Sequence, residues 1–159
     1  MAIVKLRFLH LKTVDQYKKA FANLCKKELD INGFAIKINP RDFEHACYEY
    51  LEGAIYKGKF SYKRARRIAT IEQIIKGEIP QQIILQTNRK KHTIALVSEV
   101  AECCVILLPV TKEDKKFFRF VTLIAFGRGT EKGARRIYHS GHVITKRKLN
   151  STFPKEKES

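Results

Sequence analysis

Lys63, Arg64, Arg66 and Arg67 crowd into the stretch FSYKRARRI at 60–68. The run opens a segment of helical spacing from Ser61 to Lys76, closed by Gly77 and Pro80. A helix N-terminus presents unpaired N–H groups and the positive end of the macrodipole, so clustered cations oppose the local field and an anion is favoured there. At about 100° per residue, Arg64 falls near the centre of the stripe formed by Ile68, Ile71, Ile74 and Ile75, with Arg67 about 50° away, Lys63 at its margin and Arg66 nearly opposite. Arg64 is therefore expected to turn inward, where a guanidinium needs a carboxylate or a ligand anion. Glu72, an acid nearby in sequence, lies about 80° around the helix. A phosphate held jointly by Arg64 and the helix N-terminus is the chemistry this pattern suggests, while Lys63 and Arg66 read as solvated charges.

A second candidate group lies in KFFRFVTLIAF at 116–126. Strict alternation puts Phe118, Phe120, Thr122, Ile124 and Phe126 on one face, apolar but for the Thr122 hydroxyl. Arg119 shares the other face with Val121, Leu123 and Ala125 and is expected to line an open side of the sheet. The cysteines, Cys25, Cys47, Cys103 and Cys104, have no C-x-x-C spacing and read as buried reduced thiols, the last two on opposite faces of a strand. No metal-binding carboxylate cluster is evident, and no cofactor is implied. GRG at 127–129 lacks the strand-loop-helix setting of a nucleotide loop and reads as a hinge.

These groups need elements to position them. TVDQYKKAFANLC sets Val14, Tyr17, Phe21, Leu24 and Cys25 at helical spacing behind Thr13 as N-cap. INGFAIKIN reads as a turn and a short strand, and Pro40 starts a helix, PRDFEHACYEYLEG, whose stripe is Phe43, Ala46, Cys47 and Tyr50 and whose stop is Gly53. QQIILQT, HTIALVS, ECCVILLPV and KFFRFVTLIAF then form strands joined by hairpin connections. Helices followed by four strands predict an α+β domain, helices packed on one face of a four-stranded antiparallel sheet, with no parallel crossover. The expected division is an N-terminal strand and helix extension (1–39), a core (40–127) and a basic C-terminal extension (128–159). In the last, RIYHSGHVITK is either a hairpin or a disordered arm, and LNSTFPKEKES is expected to fray.

Lys+Arg 32 against Asp+Glu 16 gives a formal net charge of +16 over 159 residues. Such an excess points to a polyanion, nucleic acid before all others. A long apolar run or basic amphipathic anchor is missing, so a membrane partner is not expected, and the address is expected to be cytoplasmic.

The order DFEHACYEYL, GKFSYKRARRIATIEQII, IPQQIIL, two hairpin strands and FRFVTLIAF resembles the phage-associated members (PBECR domains) of the barnase, EndoU, colicin and RelE-like nuclease superfamily, over roughly residues 40 to 127. The resemblance implies a metal-independent, toxin-like endoribonuclease acting on RNA, tRNA among the candidates. In such enzymes the 2′-hydroxyl attacks the adjacent phosphorus and leaves a 2′,3′-cyclic phosphate. On this reading His45 is a general acid or base, Arg64 the phosphate clamp and Thr122 a hydrogen-bond donor. Lys59, Ser61, Lys63, Arg67 and Arg119 would be supporting substrate contacts, and an acidic antitoxin or immunity protein a further partner. His45 points away from the Phe43, Cys47 and Tyr50 stripe, so it reaches Arg64 only if that outer face lines the cleft. His92, His139 and His142 are competing proton carriers. Leu123 and Ile124 stand where relatives carry an aromatic residue. The alternatives are a nucleic-acid-binding protein without catalysis, with Phe60, Tyr62 and Tyr138 as stacking platforms, and a basic protein that meets an acidic partner.

Overall fold

The Thr13 side chain accepts from the Gln16 backbone N–H while the Gln16 side chain returns to the Thr13 backbone N–H, a reciprocal cap that starts α1 (Val14–Cys25) where the sequence predicts it. The computed structural model describes residues 5–49, 58–88, 91–126 and 141–155. Tyr17, Phe21 and Leu24 are the buried stripe of α1. A tight hairpin joins β1 (Leu29–Ile31) to β2 (Phe34–Lys37). Its two linking residues, Asn32 and Gly33, both have positive φ, 53° and 86°, the twist that antiparallel strands prefer in a two-residue turn. A 3₁₀ turn at Pro40–Asp42 leads into α2 (Phe43–Cys47), and α3 (Tyr62–Ala65) and α4 (Ile68–Ile75) follow. The strands β3 (Gln82–Asn88), β4 (Lys91–Ser98), β5 (Cys103–Lys112) and β6 (Lys115–Ala125) form the predicted antiparallel meander. The chain then adds β7 (His142–Ile144) and a 3₁₀ helix at Lys146–Thr152.

The α+β class holds, but the four-stranded sheet does not. The meander is the centre of a mixed seven-stranded sheet in the order β1-β2-β6-β5-β4-β3-β7. β2 runs parallel to β6, with Ile36 opposite Phe118 and Lys37 opposite Arg119, so a parallel pairing exists where none was expected. The physical reason is the open edge of β6, whose backbone groups β2 satisfies while Ile36 enters the core. α1 and α4 pack on one face, burying Tyr17, Phe21, Ile71 and Ile74 against Leu96, Leu107, Phe118 and Phe120. A smaller cluster of Ile84, Ala95, Val97, Cys104, Ile106 and Phe126 occupies the other face, so Cys103 and Cys104 do point to opposite sides.

Four further expectations are corrected. The helix expected from Ser61 to Lys76 breaks at Arg66 and Arg67, where Arg67 leaves helical geometry at φ −94°, ψ 5°. The strand expected at the start of the N-terminal extension, ahead of α1, is not formed over residues 5–11. Residues 5–11 strap α4 instead, with the buried Gln73 amide accepting from Arg7 N–H at 3.0 Å and donating to the Lys5 carbonyl at 2.8 Å. The helix after Pro40 stops at Cys47, because Tyr48 turns extended and pairs with Phe60; Tyr50 and Gly53 lie outside the described residues. The last residues do not fray before 155. Leu149 is fully buried in the main core, and Phe153 stacks near Phe34 and Phe118 at centroid distances of 4.6 and 4.8 Å. Of the proposed C-terminal hairpin, His142–Ile144 pairs with β3; its other arm, like GRG at 127–129, His139 and Tyr138, lies outside the described residues. Residues of the expected flanking segments, Tyr17, Ile31, Ile36 and Leu149, thus share one core with the rest.

Candidate functional site

A β-bulge decides where the last strand aims its side chains. The β5–β6 register slips between Ile106 and Leu107, which face Thr122 and Phe120 respectively, leaving Val121 unmatched. Phe118, Phe120 and Leu123 therefore enter the helix-side core, whereas Ile124 and Phe126 pack on the opposite cluster. This overturns the single face expected for Phe118 through Phe126: strict alternation ends at the bulge. Beyond Arg119 the edge of β6 is no longer paired by β2, and the 3₁₀ turn and α2 come alongside in its place.

At that junction the Thr122 hydroxyl donates to the His45 carbonyl. Arg64 Nη1 approaches the same carbonyl at 3.5 Å. His45, Arg64 and Thr122 are thus brought together from α2, α3 and β6, but the meeting point is main chain, not the imidazole. Arg64 is half-buried, not the most buried of its cluster. That position belongs to Arg67, 9% exposed, whose Nε donates to the Ala101 carbonyl at 2.8 Å and Nη1 to the Lys63 carbonyl at 2.5 Å. Glu102 lies 3.8 Å from Arg67 Nη2, and the Phe8 ring sits 5.1 Å from the guanidinium carbon. The inward arginine is therefore Arg67, completed by protein groups.

The remaining expected contacts separate in the same way. Ser61 is buried and its hydroxyl accepts from the Arg64 N–H at 3.2 Å, capping α3. Lys63 is half-buried, while Lys59 and Arg119 are exposed. His92 sits in β4 with Nδ1 3.0 Å from the Thr87 hydroxyl, and His142 is exposed in β7. Cys47, the buried last residue of α2, is pushed by burial up to about 12, which the neighbouring Arg64 charge only partly offsets, so it stays a thiol.

His45 is exposed and lines a cleft of about 530 Å³ together with Asn39, Arg41, Asp42, Arg119, Phe120 and Val121. Three elements build it: the 3₁₀ turn, α2 and the bulged stretch of β6. Asn39 holds the turn, its side chain accepting from Arg41 N–H at 2.9 Å while Asp42 accepts from Asn39 N–H at 2.9 Å. The pairing of Lys37 with Arg119 ends β2 and sets Arg119 at the cleft mouth. Arg41 and Asn39 were missed in the sequence. The signal was present in NPRD, a cation in the first turn of a helix like the KRARR run. An imidazole and two guanidiniums line one opening beside the Asp42 carboxylate, a mainly cationic set of the kind that can pair with an anion. Among the described residues no group of three or more His, Cys, Asp or Glu is placed to hold a metal ion. No described helix is long and apolar enough to cross a membrane. No family model, no curated protein and no solved structure matches this chain.

Proposed function

We propose that this protein binds RNA across its basic surface and cleaves it in the His45 cleft by 2′-hydroxyl transesterification, without a metal. The observation that carries the reading is the sharing of one cleft by His45, Arg41 and Arg119, contributed by three different elements. Imidazole is the side chain that exchanges protons nearest neutral pH, and paired guanidiniums match the oxygens of a phosphodiester. His45 takes the 2′ proton, O2′ bonds to phosphorus as the bond to O5′ breaks, and the departing oxygen is protonated by solvent. Arg41 and Arg119 hold the phosphoryl oxygens as charge builds on them. Arg64 and Thr122, both at the His45 carbonyl, are positioning residues that fix α2 over the cleft. The resemblance of the motif order over roughly residues 40 to 127 to the phage-associated (PBECR) members of the barnase, EndoU, colicin and RelE-like superfamily favours the same chemistry, and an acidic antitoxin or immunity protein would meet these cations.

A reading without catalysis is favoured by one fact: the expected clamp, Arg64, contacts a main-chain carbonyl. Incubation with labelled RNA in EDTA separates the two. His45→Ala is expected to slow formation of cyclic-phosphate ends by ~10²–10⁴ while RNA affinity stays within a few-fold. Intact RNA with strongly salt-dependent binding would leave the second reading standing.

A further inference from the structure

Arg119 stands between the cleft and the side of the sheet that the described helices leave uncovered. The parallel register sets Lys37 beside Arg119, and the β5–β6 register sets Lys112 beside Lys115. Phe118 and Ile36 point to the helix-side core, so Lys37, Phe117 and Arg119 point to the other face. All four of these cations are exposed. Between them lie Phe117 and its neighbours Leu108 and Val110, all only half-buried and members of neither core cluster. Among the described residues Phe117 makes no ring–ring contact; Lys37 Nζ lies over its ring at 4.0 Å from the centroid. Glu113 and Asp114, the acids nearest in sequence, form the turn beyond the last pair.

We infer that this end of that face binds single-stranded RNA, with one nucleobase stacked on Phe117 and the backbone tracking Lys112, Lys115, Lys37 and Arg119 into the cleft. The inference rests on the proposed RNA function for the identity of the strand. An aromatic ring amid cations on a sheet is a stacking platform, and its flat face accepts a base only when that base is out of a duplex. Lys37 covers the ring until a base arrives. An exposed cation–π contact is weaker than a base–aromatic stack, so the base displaces the ammonium, which then meets a phosphate. The charge complementarity commits the face to a polyanion, and the ring to one that carries bases.

The test is fluorescence anisotropy with a labelled 2′-O-methyl oligouridine of about 12 nucleotides, long enough for one platform and lacking the attacking hydroxyl. Phe117→Ala is expected to weaken binding ~10-fold and Phe117→Trp to preserve it, with a blunt duplex of equal length bound more weakly and insensitive to either change. Lys112→Gln/Lys115→Gln, both at exposed positions, should reduce the salt slope by ~1.4. Phe117→Ala within twofold of the parent while folded by circular dichroism, a preference for duplex, or equal competition by polyglutamate would each overturn the inference. Cleavage of unmodified RNA reports separately. Loss of Phe117-dependent binding with His45-dependent cleavage intact sinks only the platform, and the converse sinks only the catalysis.

Discussion

Two regions of the molecule concentrate charge, and they treat it in opposite ways. Under the N-terminal strap, Glu72 is nearly buried, 8% exposed at its side chain, with Lys27 at 2.6 Å, Lys76 at 2.7 Å and Arg7 at 3.9 Å. Arg67, at the N-cap of the same helix, is completed by two carbonyls and Glu102. At the β6 edge, by contrast, Arg41, Arg119 and His45 gather around an open cleft, and the carboxylate among its lining residues, Asp42, accepts a main-chain N–H. Charge in the first region is matched within the chain and ties elements together. Charge in the second is accumulated, which opposes folding through self-repulsion and favours a bound anion.

The largest test of that contrast is Arg67→Ala. It strands the Ala101 and Lys63 carbonyls and opens a gap under Phe8, and is expected to destabilise by about 3 kcal/mol. For a chain of this size that lowers Tm by ~6–12 °C in a thermal melt. RNA affinity of the folded variant should barely change. Arg67→Lys should rescue little, because an ammonium lacks the fork that reaches two carbonyls. A large loss of binding at unchanged Tm would put Arg67 in the ligand region instead.

Arg64→Ala is the counterpart. It removes a contact to the His45 carbonyl, and cleavage is expected to fall ~10–100-fold in kcat with KM nearly unchanged, since one cation contributes little to overall affinity. An unaltered kcat would remove Arg64 from the positioning of α2.

The pair also shows what was legible beforehand. Helical arithmetic ranked Arg64 as the inward residue because it assumed one unbroken helix from Ser61 to Lys76. The helix breaks at Arg66 and Arg67, and the side chain that turns inward there meets the Ala101 carbonyl, contributed from a turn far along the chain. The bulge at Val121 escaped for the same kind of reason: alternation is local, whereas register is set across strands. Strand positions, the Thr13 cap and the opposed cysteines were readable because each rests on neighbours within a few residues. β2 joining β6 and the docking of Leu149 were not, since no local pattern says which edge or hollow a short segment will fill.

Glu72→Gln probes the matched region more gently. Hydrogen bonds from Lys27 and then Lys76 hold the Glu72 carboxyl below the usual carboxylate range, against the opposing effect of its burial. A lowered folded pKa contributes stability that is present above the unfolded value and lost as pH falls through the folded one. Parent and variant should therefore differ by about 1 kcal/mol in urea unfolding near pH 7, a small figure because the lysines are half-exposed. The difference should shrink as the solution is acidified below the unfolded carboxylate's range. A gap that persists in strong acid would mean packing, not charge, is what Glu72 supplies.

The smallest effect joins both themes at the β5–β6 turn. Glu113 and Asp114 adopt φ of 52° and 62°, the left-handed pair that a two-residue hairpin requires, in side chains that favour it less than the Asn32-Gly33 turn of β1–β2 does. Asp114→Gly removes the Cβ conflict and is expected to stabilise by about 0.5–1 kcal/mol, raising Tm by ~1–4 °C. It also deletes an acid at the end of the basic face formed by Lys112 and Lys115. If that face is where charge is accumulated for a ligand, single-stranded RNA should bind slightly more tightly at low salt, the gain vanishing as salt is raised. A stabilised variant with weaker RNA binding would show that the acid helps to arrange the lysines, and the sheet face would then resemble the matched region.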